Sequence, residues 1–339
     1  KGRLYFLFDV HHLIFDGTSV KVFLEEVSLF YEGKAVRPEK ISLTDVAVYE
    51  ETVKDTPAYQ KARDFFKEKL DGAEAESLIR DYKPKEVSAR SGAVRMAPGE
   101  TLSGMAVEQF VRQRGISENT LFLGAFAYAL GKYTGGNSLF CTVNNGRHTA
   151  DMQESVGMFV RTLPLAWTWE EKAPVDEYLQ GVQKNFLETM SHDIISFGEL
   201  AQTYGIASDI LFVYQGEMFN GLSLGGRQYP ASPLPVGEVQ ADISVMVMKN
   251  GGEYEISLDY RADVYREETA GGLLKLFVQV LKEMLVRKRL EQIALVSEAD
   301  IQLLNRFHGE DMPFDREKTI VELFREQAAR TPGNAAVLF

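Results

Sequence analysis

Cysteine is almost absent from this chain. Cys141 is the single one among 339 residues, so no internal disulfide can staple the fold. Its neighbours Leu139, Phe140 and Val143 mark it as a small buried hydrophobe. Such scarcity suits a reducing compartment, and a cytoplasmic location is expected. Long apolar runs are missing too. The longest, Leu121 to Leu130, falls short of the roughly 20 residues a membrane-spanning helix needs and reads as a core helix, so no membrane partner is expected. No basic-then-apolar signal pattern opens the chain, which starts at Lys1 directly ahead of a strand-like segment instead of at methionine. The natural N-terminus is expected further upstream. Basic excess is lacking: 37 Lys and Arg against 49 Asp and Glu give −12, which argues against nucleic acid as a partner. His148, His192 and His308 share no metal-ligand spacing and are expected at the surface, with no metal site. Gly221-Leu222-Ser223-Leu224-Gly225-Gly226 matches no phosphate-binding fingerprint and reads as a turn. Internal repeats and low-complexity segments are absent as well.

What is present is ordinary globular composition, 45% apolar and 25% charged, in a chain long enough for two lobes. Residues 3–10 alternate, with Leu4, Phe6, Phe8 and Val10 on one side, which predicts a strand. After Gly17, the positions Val20, Phe23, Leu24, Val27, Phe30 and Tyr31 recur at helical spacing. Thr18 or Ser19 is available as N-cap and Gly33 as the stop. A second helical stretch covers Tyr59 to Leu70. Residues 71–100, broken by Gly, Pro, Ser and mixed charge, predict a boundary between lobes. Beyond it, helices near 102–114, 118–133, 174–191 and 266–288 alternate with strands near 138–143, 160–168, 209–215, 241–248 and 253–260, an α/β pattern. Asn250-Gly251-Gly252 supplies a hairpin turn between the last two strands. A polar stretch from Phe307 to Asp315, then a helix from Thr319 to Arg330, Pro332 and apolar Ala335 to Phe339, reads as the opening of a new domain.

The segment that carries chemistry is His11-His12-Leu13-Ile14-Phe15-Asp16-Gly17, placed by this pattern at a strand-to-helix junction. A neutral imidazole accepts a proton from an attacking amine or alcohol near physiological pH, and His12 is the candidate base. Asp16 is better suited to neutralising a buried arginine than to chemistry. Gly17 permits close backbone approach at the start of a helix whose N-terminal amides could face developing negative charge.

Strand, HHxxxDG spacing and helix together resemble the acyltransferase superfamily of chloramphenicol acetyltransferase and the plant HxxxDG enzymes. The doubled histidine is similar to the condensation domains of non-ribosomal peptide synthetases. Further segments extend the resemblance: Leu43-Thr44-Asp45-Val46-Ala47-Val48-Tyr49, and Val156-Gly157-Met158-Phe159-Val160-Arg161-Thr162-Leu163-Pro164-Leu165 against the family's VGMFVNTLPL, with Arg161 in place of asparagine. Met190-Ser191-His192-Asp193 through Phe197-Gly198-Glu199-Leu200 looks like a loosened HQDYPFE, and Ile210-Leu211-Phe212-Val213-Tyr214-Gln215 resembles the strand that follows it. Leu304-Asn305 through Phe324 and Ala328-Ala329-Arg330-Thr331-Pro332 look like the linker into an adenylation domain.

The resemblance implies an α/β fold of two chloramphenicol-acetyltransferase-like lobes in a V, the first one incomplete because roughly a third of the domain should precede the histidines. It divides the chain into 1–85 (first lobe, with the motif), 86–305 (second lobe), 306–318 (linker) and 319–339 (start of an adenylation domain). It implies peptide-bond formation between aminoacyl or peptidyl thioesters in antibiotic or siderophore biosynthesis. The thioesters arrive on phosphopantetheine arms of an upstream donor and a downstream acceptor carrier protein. The chain itself holds no cofactor, and the adenylation domain is a partner in cis. His12 would position or deprotonate the amine, His11 would support it, and Asp16 would pair with Arg147 or with an arginine nearer the N-terminus. Thr18, Ser19 and Arg161 are the tunnel candidates, with Arg161 expected to project into solvent. Thr18 stands where the subtype joining two L-residues often carries tryptophan, which leans towards a D-configured donor. An epimerisation domain, a catalytically silent docking domain and a stand-alone CoA acyltransferase are the alternatives. The two histidines exclude a heterocyclisation domain, and the usual EGHGRE-like segment of epimerisation domains is not found.

Overall fold

The computed structural model describes residues 5–36, 38–72, 78–83, 91–96, 102–136, 138–207, 209–217, 221–230, 241–250, 252–307, 315 and 317–335. The chain forms two compact units, Lys1–Leu295 and Val296–Phe339. The boundary expected near residue 85 lies inside the first unit, and the expected 306–318 linker begins inside the second.

In chain order the first unit contains α1 (Gly17–Tyr31), α2 (Leu43–Val53), α3 (Pro57–Leu70), β1 (Ser91–Arg95), α4 (Gly104–Arg114), α5 (Glu118–Thr134), β2 (Ser138–Asn144), β3 (Arg161–Trp167), α6 (Val175–Met190), α7 (Phe197–Tyr204), β4 (Ile210–Glu217), β5 (Leu222–Leu224), β6 (Arg227–Tyr229), β7 (Ile243–Asn250), β8 (Glu253–Arg261) and α8 (Glu267–Met284). The α/β alternation predicted beyond residue 100 is present. The chain around Ser91 to Arg95, read as irregular, adds β1 at the sheet edge, paired antiparallel with β8. Ahead of it Arg80 is tied to Asp242 at 2.9 Å, and the Tyr82 N–H donates to the Val264 carbonyl at 3.1 Å.

Six strands form one mixed sheet in the order β1-β8-β7-β4-β2-β3. β7 and β8 pair antiparallel up to Asn250 opposite Glu253, and Gly252 adopts φ +88°. β4 runs parallel to both β2 and β7, so its connections must cross over. Helix α5 fills the largest part of the core. Every residue from Thr120 to Gly131 is buried, because α6, α8 and the strands surround it. Phe126 lies between Phe140, Phe212 and Phe277, at ring-centroid distances of 5.2–5.6 Å. Strand alternation sends Phe140 and Leu165 into this core and Leu139 and Ala166 to the opposite face, where α3 and α7 pack. Both faces of β2 and β3 are therefore covered.

The predicted strand at 3–10 does not form over its described part. Tyr5 to Val10 have no ladder partner among the described residues, and Tyr5, Phe6 and Leu7 are exposed. Alternation encodes two faces, but a strand needs a neighbour to receive its N–H and C=O groups. Phe8 alone is held, 5.3 Å from Phe23 of α1 and 6.3 Å from Phe15. The histidine motif accordingly joins a turn to a helix. Gly221–Gly226 holds more than a turn: β5 and β6 pair across Gly225 and Gly226, whose φ angles of +55° and +75° suit a tight hairpin, and β5 packs against α1.

The second unit contains α9 (Glu298–Phe307) and α10 (Ile320–Arg330), the latter opened by a capping box between Thr319 and Glu322. α10 matches the helix read from Thr319 to Arg330.

Candidate active site

Asp16 is the N-cap of α1, a place the sequence pattern assigned to Thr18 or Ser19. Its Oδ1 accepts the Ser19 N–H at 2.8 Å. One carboxylate before a glycine therefore does two jobs, starting the helix and holding a cation. Arg147, on the loop that leaves β2, donates through Nη1 to Asp16 Oδ2 at 2.8 Å and through Nη2 to Asp16 Oδ1 at 3.0 Å. Of the two partners weighed for Asp16, the structure supplies Arg147. This fork-on-fork pair is wholly withdrawn from solvent, both side chains being 0% exposed.

Neighbouring groups take up most of what the pair leaves open, although Arg147 Nε is buried with no hydrogen-bond partner among the described residues. The Phe159 N–H donates to Asp16 Oδ2 at 3.0 Å, Arg147 Nη2 reaches the Ser155 carbonyl at 3.0 Å, and the guanidinium carbon sits 4.5 Å from the centre of the Phe159 ring. Burial alone pushes the Asp16 carboxyl up. The Arg147 guanidinium, the Ser19 and Phe159 amides and the Ser19 hydroxyl outweigh it and hold the group below the usual carboxylate range.

Glycine is required two positions along this loop. Gly146 has φ +64°, and a Cβ there would lie 1.8 Å from the Phe159 carbonyl oxygen. The Val156-Gly157-Met158-Phe159 segment serves the site largely through its backbone, which motif reading does not reveal. Gly157 exchanges bonds of 2.9 Å with the Ser19 hydroxyl, through its N–H and its carbonyl.

Ser19, expected to line a tunnel, is fully buried inside this cluster and packs the lock instead. Thr18 is half-buried. Arg161, expected to project into solvent, is 22% exposed and paired with Glu50 of α2. The reason is its register: Arg161 opens β3 opposite Asn144, and that end of the strand lies under α2.

His11 and His12 are exposed. His11 Nδ1 accepts the Leu13 N–H at 3.0 Å, and the Ile14 N–H donates to the His11 carbonyl at 3.1 Å. A neutral His11 therefore carries its proton on Nε2 and spends its other nitrogen on the turn. His12 presents its ring to solvent at the mouth of the motif. Gly17 follows in α1, and a Cβ there would lie 3.2 Å from the side-chain nitrogen of Gln215 on β4. The Ser19 amide is already taken by Asp16, so the N-terminus of α1 is partly occupied as an anion site.

The remaining histidines differ from expectation in one case. His148 is an exposed loop residue 3.4 Å from Asp193. His192 is half-buried and stacked on Phe65, with ring centroids 4.2 Å apart. His308 lies outside the described residues. Burial, with Asp209 adding, pushes the Cys141 thiol up to about 12. Among the described residues no helix is long and apolar enough to cross a membrane, and no group of three or more His, Cys, Asp or Glu could hold a metal ion.

A family model described as the condensation domain matches residues 1–305. Over its whole length the chain is 26% identical to surfactin synthase subunit 1 of Bacillus subtilis, of which it spans 10%. Over 99% of its length it is 29% identical to tyrocidine synthase 3 of Brevibacillus parabrevis, of which it spans 5%. Among solved structures, holo-AB3403, a four-domain non-ribosomal peptide synthetase, superposes with a TM-score of 0.74 at 16% identity, over 96% of this chain and 27% of that one. The X-domain of teicoplanin biosynthesis in complex with OxyB superposes with a TM-score of 0.70 at 20% identity, over 85% of this chain and 69% of that one.

Proposed function

Because the chain belongs to the condensation-domain family, we propose that it forms peptide bonds between thioesters carried on phosphopantetheine arms in non-ribosomal peptide synthesis. The observation that carries this reading is an exposed His12 rooted four residues from a carboxylate that is locked, fully buried, to Arg147. An exposed base beside a locked helix start suits amine attack. A buried ion pair is too committed to take part in proton transfer.

The acceptor α-amine attacks the donor thioester carbonyl. A C–N bond forms, the C–S bond breaks, and the sulfur leaves as the thiol of the donor arm. His12 holds the amine through its free ring nitrogen and receives the proton that the nitrogen sheds. General-base help is typically about 10²–10⁴-fold, whereas holding two reactants in attack geometry supplies roughly 7–11 kcal/mol. Orientation by the rigid motif is therefore the larger share of the rate. His11 and Asp16 keep His12 in place from either side. The upstream and downstream carrier proteins would deliver the arms, and an adjoining adenylation domain in cis would supply the acceptor residue.

Carrier proteins loaded with donor and acceptor test this directly by mass spectrometry. An extended peptidyl thioester on the downstream carrier is the expected product. Epimerised donor without extension would assign the chain to epimerisation, and absence of turnover alongside capture of a partner enzyme would assign it to docking.

A further inference from the structure

β2 and β4 run parallel, yet they pair only at Cys141 with Leu211 and Thr142 with Phe212. Beyond those residues the two carboxyl ends continue without each other. In open α/β sheets such diverging carboxyl ends frame the crevice where ligands sit. Here the N-terminus of α1 meets residues from both of them. The loop from β2 sends Arg147 to Asp16, and the end of β4 sends Gln215 to Gly17.

Gln215 is not an ordinary strand residue. Tyr214 pairs with Val247 and Gly216 with Met248, so Gln215 is the extra residue of a β-bulge, and Gly216 follows at φ +68°. Bulges of this kind re-aim a side chain and concentrate beside active sites. The bulge is held from its other face, where the Tyr214 hydroxyl donates to Glu118 at 2.5 Å and its ring stacks on Phe122. Lys249, 2.9 Å from Glu118, secures the same anchor. The Gln215 side chain is exposed and makes no hydrogen bond with the described residues.

The same contact bears on Gly17. Its φ is not among the left-handed ones, so backbone strain does not demand glycine there. A Cβ would approach the Gln215 amide to 3.2 Å, a tight contact that would push this exposed side chain away from α1.

We propose that Gln215 is a substrate-positioning residue of the histidine motif, its amide hydrogen-bonding the secondary amides and carbonyl of the thioester-bearing arm. An amide offers two N–H donors and one carbonyl acceptor, the complement of what a pantetheine chain presents. This inference rests on the reading of the chain as a condensation domain, and it adds the residue on β4 that receives the arm.

The test is calorimetric titration of the chain with a non-reactive aminoacyl-pantetheine amide. Gln215→Leu is expected to weaken binding roughly 3- to 10-fold, the worth of one neutral hydrogen bond, with an unchanged thermal midpoint. Gly17→Ala should weaken it similarly, and Gly17→Ala combined with Gln215→Leu should be no worse than either alone, since both act on one contact. Equal affinity in Gln215→Leu and the parent chain overturns the inference, as does failure of the parent to bind the probe. A parent chain that binds the probe in this Gln215-dependent way yet joins no loaded substrates leaves the inference standing and overturns the proposed function alone.

Discussion

Arg147 Nη1 stands 2.8 Å from Asp16 Oδ2, and the two side chains are wholly buried, although 131 residues separate them along the chain. Breaking a buried pair by removing one partner strands the other charge in a poorly solvating interior. Asp16→Asn is therefore expected to cost about 3–5 kcal/mol of stability, seen as a lowered midpoint in denaturant unfolding. Stability equal to the parent would contradict the structural role of Asp16.

The same carboxyl sets a pH dependence. The folded-state affinity of Asp16 for protons is held below that of the unfolded chain, so the unfolded state binds the proton first. Its contribution is complete above about pH 4, the unfolded carboxylate value, and is lost as pH falls through the depressed folded value. As pH falls below about 4, the difference in unfolding free energy between the parent and Asp16→Asn should shrink. A pH-independent difference would count against the assignment.

His12→Ala removes an exposed ring, so folding should be unaffected while single-turnover peptide formation falls about 10²–10⁴-fold. Quenched reactions read by mass spectrometry, paired with thermal melts, separate the two effects. Near-normal turnover would take His12 out of the mechanism.

Arg161 and Glu50 form a partly exposed pair, so each single substitution should cost on the order of 1 kcal/mol or less. Arg161→Asn combined with Glu50→Gln should cost less than the sum of the two, because both remove one interaction. Strict additivity in chemical denaturation would show that the contact contributes nothing.

Cys141 is buried and its thiol is pushed up to about 12, so thiol reagents at pH 8 should label the native chain far more slowly than the denatured one. Equal labelling rates would contradict the burial.

Most of the secondary structure beyond residue 100 was legible because local forces write it. α5 is a continuous apolar run between Ser117 and the left-handed Gly135, and the Asn250 turn closes a hairpin whatever surrounds it. Asp16 was legible in part for the same reason, since it caps α1 through Ser19 within one helical turn, while its bonds to Arg147 and Phe159 are long-range. Segment 5–10 reads as a strand and is none, since pairing depends on a neighbouring ladder rather than on alternation.

The amino-acid order alone determined the histidine pair, the α/β alternation and the resemblance that names the chemistry, all of them short-range patterns. Only the tertiary structure decided which arginine meets Asp16, why Ser19 is buried in the lock, that Arg161 faces Glu50, and that the bulged end of β4 brings Gln215 to Gly17. Those contacts join residues 111 to 198 positions apart, where spacing carries no information. Arg147 and Gln215 reach α1 because crossover connections bring the carboxyl ends of parallel β2 and β4 to one helix N-terminus, whereas Arg161 meets Glu50 because that end of β3 lies under α2.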